Sequence, residues 1–166
     1  MNILFVCTGN ISRSFLAEML LKNEVKQHQL ENINISSVGT SAYPGAPADP
    51  KMMNYLLETE VPIENHEATP ITKEYVDWAN IILVMDKVNL RFIENRWPEA
   101  KDKVELLGKY ISADQAEDDV IDPYGGSPYH YRLAQSQIIL AIRTLVKKLL
   151  SDMTESQNAQ DQIHSR

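Results

Sequence analysis

The fold is decided by residues 2–14, Asn-Ile-Leu-Phe-Val-Cys-Thr-Gly-Asn-Ile-Ser-Arg-Ser. A short apolar run that ends at Cys-Thr-Gly-Asn predicts a buried strand followed by a turn. From Ser14 onward, apolar residues recur at helical spacing, at Leu16, Met19, Leu20 and Val25. This spacing predicts an amphipathic helix of about three turns. The segment therefore predicts a strand, a turn and a helix, in that order.

Further strands and helices alternate along the rest of the chain. The patterns predict strands at 33–37, 81–85 and 104–107, and helices at 51–60, 70–79, 89–96 and 135–150. Strands separated by helices favour a parallel sheet covered on both faces. We therefore predict an α/β fold, a single three-layer domain with a central four-stranded parallel sheet flanked by helices, over residues 1–150. Residues 151–166 are polar and are predicted to form a disordered tail.

The composition narrows the class of protein. A chain of 166 residues with 43% apolar residues is typical of one globular domain. Its net charge of −7 argues against a nucleic-acid partner, and no apolar stretch is long enough for a membrane span. Cys7 is the single cysteine, which excludes an internal disulfide and favours a cytoplasmic protein. The four histidines show no metal-ligand spacing, so we expect neither a metal site nor a cofactor. The oligomeric state is left open.

The turn after the first strand is the candidate binding site, because ligands of parallel α/β sheets bind beyond the carboxyl ends of the strands. A lone cysteine at such a position is usually a small buried apolar residue. Here, however, Gly9 allows a positive φ and Asn10 tolerates one. A loop of this kind, leading into a helix N-terminus, directs its N–H groups at one point and forms a nest for a tetrahedral anion.

The residue types in this turn suit phosphoryl transfer. The N–H groups, the helix dipole and Arg13 all favour the thiolate form of Cys7 over the thiol. The planar guanidinium of Arg13 can hold two phosphate oxygens at once. Attack of a thiolate on phosphorus expels an alkoxide or phenoxide that must be protonated. The scheme therefore predicts a carboxylic acid elsewhere in the chain.

The sequence resembles the low-molecular-weight protein tyrosine phosphatases. The resemblance rests on Cys-x5-Arg-Ser after the first strand, with Gly9 and Asn10 inside it, and on Asp122-Pro-Tyr in a late loop. It extends in order through segments 37–43, 66–68, 71–74, 84–91 and 104–108. By this resemblance Cys7 forms a phosphocysteine intermediate, Arg13 binds the phosphate, and Asp122 protonates the phenol and then activates water. Without the family, Asp122 is more simply a turn-starting residue before proline.

The resemblance also implies the surroundings of the site. The phosphate-binding loop comprises Thr8, Gly9, Asn10, Ile11, Ser12, Arg13 and Ser14. Ser14 is expected to hydrogen-bond the thiolate, while Asn10, Ser37 and His66 hold the loop in shape. The cleft is expected to be walled by Ile11, Tyr43 and Tyr124, and the partners to be proteins that contain phosphotyrosine.

Two positions depart from the family pattern. Ser12 replaces a cysteine that often stands beside the arginine, and Phe15 replaces the proline that usually follows Arg-Ser. Loss of the second cysteine leaves the chemistry intact but removes a disulfide that protects the nucleophile from irreversible oxidation. The effect of Phe15 on the start of the first helix is left open.

Three rival functions share parts of this pattern. Thioredoxin-coupled arsenate reductases share the loop but need additional cysteines, which this chain lacks. A non-catalytic module that binds phosphoproteins is a second rival. It is disfavoured because Cys7, Arg13 and Asp122 are all present. Protein arginine phosphatases are the closer rivals, since some share Cys-Thr-Gly-Asn and a late Asp-Pro-aromatic-Gly-Gly. Those enzymes commonly place threonine at the position of Ile11, and isoleucine leaves guanidinium N–H groups unpaired, which favours phosphotyrosine.

Overall fold

The computed structural model describes residues 1–111 and 118–164, with side chains described as far as Glu155. Four parallel strands form one sheet in the order β2-β1-β3-β4. The strands are β1 (Asn2–Cys7), β2 (Asn34–Gly39), β3 (Ile81–Val84) and β4 (Val104–Leu106). The α-helices are α1 (Arg13–Gln27), α2 (Pro50–Glu58), α3 (Lys73–Trp78), α4 (Lys87–Arg96) and α5 (Pro128–His164), and 3₁₀ helices span Pro98–Lys103 and Leu107–Tyr110. The predicted α/β fold with a four-stranded parallel sheet is confirmed.

The two faces of the sheet carry separate hydrophobic layers. Ile3 and Phe5 of β1 pack in the layer that contains apolar residues of α1, α2 and α5. Leu4 and Val6 point to the opposite face and pack in the layer that contains apolar residues of α3 and α4. Successive side chains of a strand alternate between faces, so a central strand covered on both sides needs an apolar residue at every position. This explains the unbroken apolar run of β1.

The register brings the turn after β1 to the carboxyl edge of the sheet, beside two other strand ends. Cys7 pairs with Gly39 of β2, and the Met85 N–H donates to the Val6 carbonyl at 3.0 Å. The chain therefore passes from β3 to Asp86 next to the turn that follows Cys7. This edge is where ligands of parallel α/β sheets bind, as expected from the sequence.

Two helices begin three or more residues away from their predicted first residue. Helix α3 begins at Lys73 rather than at residue 70, because Pro70 forms a bridge with Gly39 and the Ile71 N–H donates to the Gly39 carbonyl. Helix α5 begins at Pro128, a residue type that suits the first helical position, and not at residue 135.

Helix α5 also continues without a break to His164, past the predicted domain end at residue 150. Residues 165–166 lie outside the described residues, and the domain boundary itself stays a prediction. In the part of the chain that the structure describes, none of the helices combines the length and the apolar character needed to cross a membrane.

Candidate active site

Cys7 ends β1 and is almost completely buried, with its sulfur directed into the following loop. The Asn10 backbone N–H donates to Cys7 Sγ at 3.1 Å, and Ser14 Oγ is hydrogen-bonded to the same sulfur at 3.0 Å. Both groups can donate to a thiolate and so stabilise the charged form of the sulfur. The structure thus brings Cys7, Asn10 and Ser14 together as expected from the sequence.

Asn10 is the centre of the hydrogen-bond network behind the loop. Its side-chain amide Nδ2 donates to Ser14 Oγ and to Ser37 Oγ, each at 2.9 Å. Its Oδ1 accepts the Thr69 N–H at 2.8 Å, and its carbonyl oxygen lies 2.6 Å from His66 Nε2. Ser37 and His66 therefore both contact the residue that they are expected to support.

Asn10 also supplies the left-handed turn of the loop. Its φ is 55°, whereas Gly9 has no positive φ, and a Cβ at Gly9 would meet only Ile11 Cγ1 at 3.7 Å. The expectation that Gly9 allows a positive φ here is therefore wrong. The asparagine adopts this conformation because its short polar side chain is held by the hydrogen bonds that surround it.

Glu18 extends the network to a buried carboxylate that was not predicted from the sequence. The Ser37 hydroxyl donates to Glu18 Oε2, and Lys22 Nζ lies 2.8 Å from Glu18 Oε1. Partial burial opposes the charged form of Lys22, but the carboxylates of Glu18 and Glu64 outweigh it and raise the pKa of Lys22. The buried charge of Glu18 is thus paired, as a charge in this position must be.

Arg13 occupies the first turn of α1, and its guanidinium is held on one side by the body of the protein. Nη1 donates to Asp86 Oδ2 at 2.8 Å and to the Val120 carbonyl at 3.0 Å. Asp86 in turn caps α4, since its Oδ1 accepts the Asn89 N–H at 2.8 Å. Asp86 was not predicted to belong to the site, although its position just beyond β3, at the carboxyl edge of the sheet, is a signal that could have found it.

Asp122 approaches the same guanidinium from the late loop. Its Oδ2 lies 3.4 Å from Arg13 Nη2, and its side chain is 54% exposed. Oδ1 accepts the Tyr124 N–H at 3.2 Å, which orients the carboxyl group within the loop. A half-exposed carboxyl group that contacts Arg13 and lines the same cleft as Cys7 can serve as a proton donor to a leaving group.

A cleft of about 460 Å³ joins these groups. Arg13 is the one cationic residue among its described lining residues, and Tyr43 and Tyr124 are largely exposed at its edge. Ser41 and Ala46 also line it and were not anticipated. Of the expected site residues, those that line the cleft are Cys7, Thr8, Gly9, Asn10, Ile11, Ser12, Arg13, Tyr43, Asp122 and Tyr124. Ser14, Ser37 and His66 contact Cys7 or Asn10 from behind.

The two departures from the family pattern have different surroundings. Ser12 Oγ is buried and has no hydrogen-bond partner among the described residues. Phe15 is fully buried, and its ring centroid lies 4.8 Å from that of His66. Ser12 is the N-cap of α1, and its carbonyl accepts the N–H of Leu16, the residue that follows Phe15. A residue at position 15 is therefore in the first turn, where the loss of an N–H to proline matters little, so Phe15 mainly changes the packing around His66.

The described residues contain no group of three or more histidine, cysteine, aspartate or glutamate side chains that could hold a metal ion. The site offers instead a buried sulfur nucleophile, a fixed guanidinium and a half-exposed carboxyl group around one cleft. This combination can bind a phosphoryl group, attack it and protonate the group that leaves.

Comparisons with known proteins agree with this chemistry. The model of the family described as low molecular weight phosphotyrosine protein phosphatase matches residues 2–159. A protein-arginine-phosphatase of Bacillus subtilis (strain 168) is 34% identical over 152 residues, covering 92% of this chain and 99% of the relative. The human low molecular weight phosphotyrosine protein phosphatase is also 34% identical over 152 residues, covering 89% of this chain and 94% of the relative.

A solved structure extends the comparison to three dimensions. It is described as YwlE arginine phosphatase, a C7S mutant with a phosphorylated active site serine. It superimposes with a TM-score of 0.84 at 34% identity and covers 92% of this chain and 97% of its own. The similarity therefore spans nearly the whole of both chains.

Proposed function

The chain belongs to the low molecular weight phosphotyrosine protein phosphatase family, and from that premise we propose that it hydrolyses phosphotyrosine in proteins through a phosphocysteine intermediate. The family is one of phosphoric monoester hydrolases that act on phosphoproteins. The observation that carries the proposal is the convergence of Cys7, Arg13 and Asp122 on one cleft. We place the enzyme in the cytoplasm as part of the same proposal, because a reducing compartment suits a catalytic thiolate without a disulfide partner.

In the first step, the Cys7 thiolate attacks phosphorus and the bond from phosphorus to the phenolic oxygen breaks. Asp122, in its protonated form, gives its proton to the departing oxygen. Arg13 binds two phosphoryl oxygens with its planar guanidinium group, and the hydrogen bond to Asp86 keeps that group oriented. The Asn10 N–H and the Ser14 hydroxyl stabilise the thiolate before the attack.

In the second step, the Asp122 carboxylate takes a proton from a water molecule that attacks the phosphocysteine. The sulfur–phosphorus bond breaks, which releases inorganic phosphate and regenerates the thiolate. The relative with a phosphorylated serine in its active site supports a covalent phosphoryl intermediate in this fold.

The walls of the cleft favour an aromatic ester. Tyr43 and Tyr124 offer exposed rings that can stack on a phenyl ring, and Ile11 adds an apolar side chain at the rim. A phosphoarginine would place guanidinium N–H groups beside Ile11 without an acceptor. Phosphoarginine stays the alternative substrate, because a relative that is 34% identical is named a protein-arginine-phosphatase.

The substrate is tested by comparing kcat/KM for a phosphotyrosine peptide and a matched phosphoarginine peptide. We expect the wild-type enzyme to prefer phosphotyrosine about five- to 150-fold, the range that one unsatisfied polar contact gives. Ile11→Thr should shift the ratio toward phosphoarginine, because its hydroxyl can accept a guanidinium N–H.

Cys7→Ser, which lacks the thiolate, controls for contaminating activity in both assays. Turnover retained in this variant would exclude the proposed nucleophile. A wild-type preference for phosphoarginine would overturn the tyrosine assignment and leave the roles of Cys7, Arg13 and Asp122 intact.

A further inference from the structure

A buried tyrosine outside the cleft is hydrogen-bonded to a buried carboxylate beside the phosphate-binding loop. The Tyr131 hydroxyl, on α5, donates to Asp49 Oδ2 at 2.6 Å. Tyr131 is 5% exposed and Asp49 is 4% exposed. Asp49 also caps α2, since its Oδ1 accepts the Lys51 N–H at 3.0 Å. The pair therefore joins the start of α5 to the start of α2.

Asp49 is at the same time tied to the rim of the phosphate-binding loop. Its backbone N–H donates to the Ile11 carbonyl at 2.8 Å. Ile11 lines the cleft in which the leaving group must lie. A shift of Asp49 therefore moves the backbone of the residue that stands beside the substrate ring.

Tyr131 follows Asp122 closely in the chain, at the end of the segment that leads from the acid loop into α5. Upstream, this loop is anchored by the Val120 N–H on the Met85 carbonyl and by the Ile121 N–H on Gln137 Oε1. Between residues 123 and 134, the bond from Tyr131 to Asp49 is the one hydrogen bond that reaches another part of the described chain. The bond from Tyr131 to Asp49 therefore provides the hydrogen-bonded anchor on the downstream side of the acid loop.

We propose that Tyr131 is a positioning residue that, through Asp49 and Ile11, fixes the distance between the acid loop and the phosphate-binding loop. The inference rests on the proposed function, in which Asp122 protonates a leaving group bound beside Ile11. Burial, and then the bond to Asp49, raise the pKa of Tyr131, so its hydroxyl stays a neutral donor at the pH of the assay. Lys51 Nζ lies 4.6 Å from the centre of the Tyr131 ring, a cation–π contact on the same residue.

The chain offers a matched control in Tyr110. It is 6% exposed, its hydroxyl donates to the carboxylate of Glu105, and Lys148 Nζ lies 5.8 Å from the centre of its ring. Tyr110 is not among the residues that line the cleft. Tyr131→Phe and Tyr110→Phe therefore each remove a tyrosine hydroxyl that donates to a carboxylate, although Glu105 is less buried than Asp49, and only the first breaks a link to the active site.

The experiment compares both variants on a phosphotyrosine peptide, which needs the acid, and on p-nitrophenyl phosphate, whose leaving group needs it less. We expect Tyr131→Phe to lower kcat/KM about tenfold for the peptide and about twofold for p-nitrophenyl phosphate, because the proton donor is displaced. The inhibition constant of inorganic phosphate should change by about twofold or less, since Arg13 and the loop N–H groups remain. Tyr110→Phe should leave kcat/KM for both esters within about twofold of wild type.

Urea denaturation of both variants shows whether the loss of activity follows stability. If Tyr131→Phe does not fold, Asp49→Asn serves instead, since the amide weakens the link while keeping an oxygen to cap α2, and it should show the same leaving-group signature. Equal losses on both esters, or a Tyr131→Phe enzyme no different from Tyr110→Phe, would overturn the inference. A wild-type enzyme inactive on both esters would instead overturn the proposed function.

Discussion

Asn10 shows how much of the site depends on the choice of one residue. Its backbone adopts φ 55°, and its amide both donates twice and accepts once within the buried network. Glycine could adopt the same backbone but would supply no side-chain donor or acceptor, and aspartate has no N–H to give to Ser14 and Ser37. Asparagine alone combines the left-handed conformation with this pattern of hydrogen bonds. Asn10 therefore sets both the shape of the loop and the orientation of Ser14 toward Cys7.

The residue at position 12 is expected to determine how Cys7, the proposed nucleophile, responds to oxidation. Peroxide converts a thiolate to sulfenic acid, which either condenses with a nearby thiol, losing water, or is oxidised further to irreversible acids. Cys7 is the single cysteine, and Ser12 lines the same cleft. We therefore predict that thiol reductant does not restore activity after prolonged peroxide treatment of the wild type, whereas Ser12→Cys recovers most of its activity. Phosphatase assays before and after reduction, with mass spectrometry of the Cys7 peptide, measure this.

The Ser12 hydroxyl is small and has no hydrogen-bond partner in the described part of the chain, which makes the exchange for cysteine mild. Unoxidised Ser12→Cys therefore serves as its own control. Sulfinic or sulfonic acid should appear on wild-type Cys7, and a disulfide between Cys7 and the introduced thiol should appear in the variant. Full recovery of the wild type with reductant would contradict the prediction.

Gly39, the last residue of β2, sets the space available to the phosphate-binding loop. A Cβ on Gly39 would lie 2.6 Å from the Thr8 carbonyl oxygen and 3.0 Å from Asn10 Cβ. We predict that Gly39→Ala pushes the loop away from the sheet, lowers the free energy of unfolding by about 1–3 kcal/mol and lowers kcat/KM more than tenfold. Urea denaturation and a p-nitrophenyl phosphate assay measure the two effects.

Gly45→Ala separates backbone strain from this clash. Gly45 has φ +80°, and a Cβ there would meet nothing within 4 Å. The Gly45→Ala variant should lose about 1 kcal/mol of stability, because alanine is strained in the left-handed region, and should keep kcat/KM within about threefold of wild type. Equal loss of activity in the two variants would show that the contact between Gly39 and the loop is not what matters.

The sequence predicted the elements whose signals are local and missed the contacts that join distant segments. The strand-turn-helix of residues 2–27 follows from periodicity, and the covered sheet follows from the alternation of elements. The start of α5 was missed because Pro128-Tyr-His resembles a continuation of the loop. The partners Arg13 and Asp86 are separated by 73 residues, and Asp49 and Tyr131 by 82. No sequence period encodes such pairs, and only the family resemblance supplied Asp122, Ser37 and His66.

The proposed function requires an acidic protein to bind an anion, and only local groups can provide that attraction. The net charge of −7 repels phosphate at long range, whereas in the proposed function Arg13 and the loop N–H groups attract it within the cleft. Two carboxylates, Asp86 and Asp122, contact the guanidinium of Arg13. In the proposed function the same guanidinium also binds the phosphoryl group. We therefore expect phosphate affinity to depend on the geometry of the loop rather than on the electrostatic field of the protein's net charge.

Along the described part of α5, the buried apolar residues end well before the end of the helix. The last buried apolar residues described on α5 are Leu145, Val146 and Leu149, which pack in the layer shared with α1. We predict that a chain ending at Glu155 keeps its urea midpoint and kcat/KM within about twofold of full length, because it retains Leu149, the last buried apolar residue described on α5. A chain ending at Thr144 loses three buried residues worth about 1.5–3 kcal/mol each, which approaches the whole stability of a typical domain. It should fail the same measurements, with circular dichroism showing loss of structure. A clear loss of stability in the longer chain would mean that residues 156–166 belong to the folded domain, against the predicted end at residue 150.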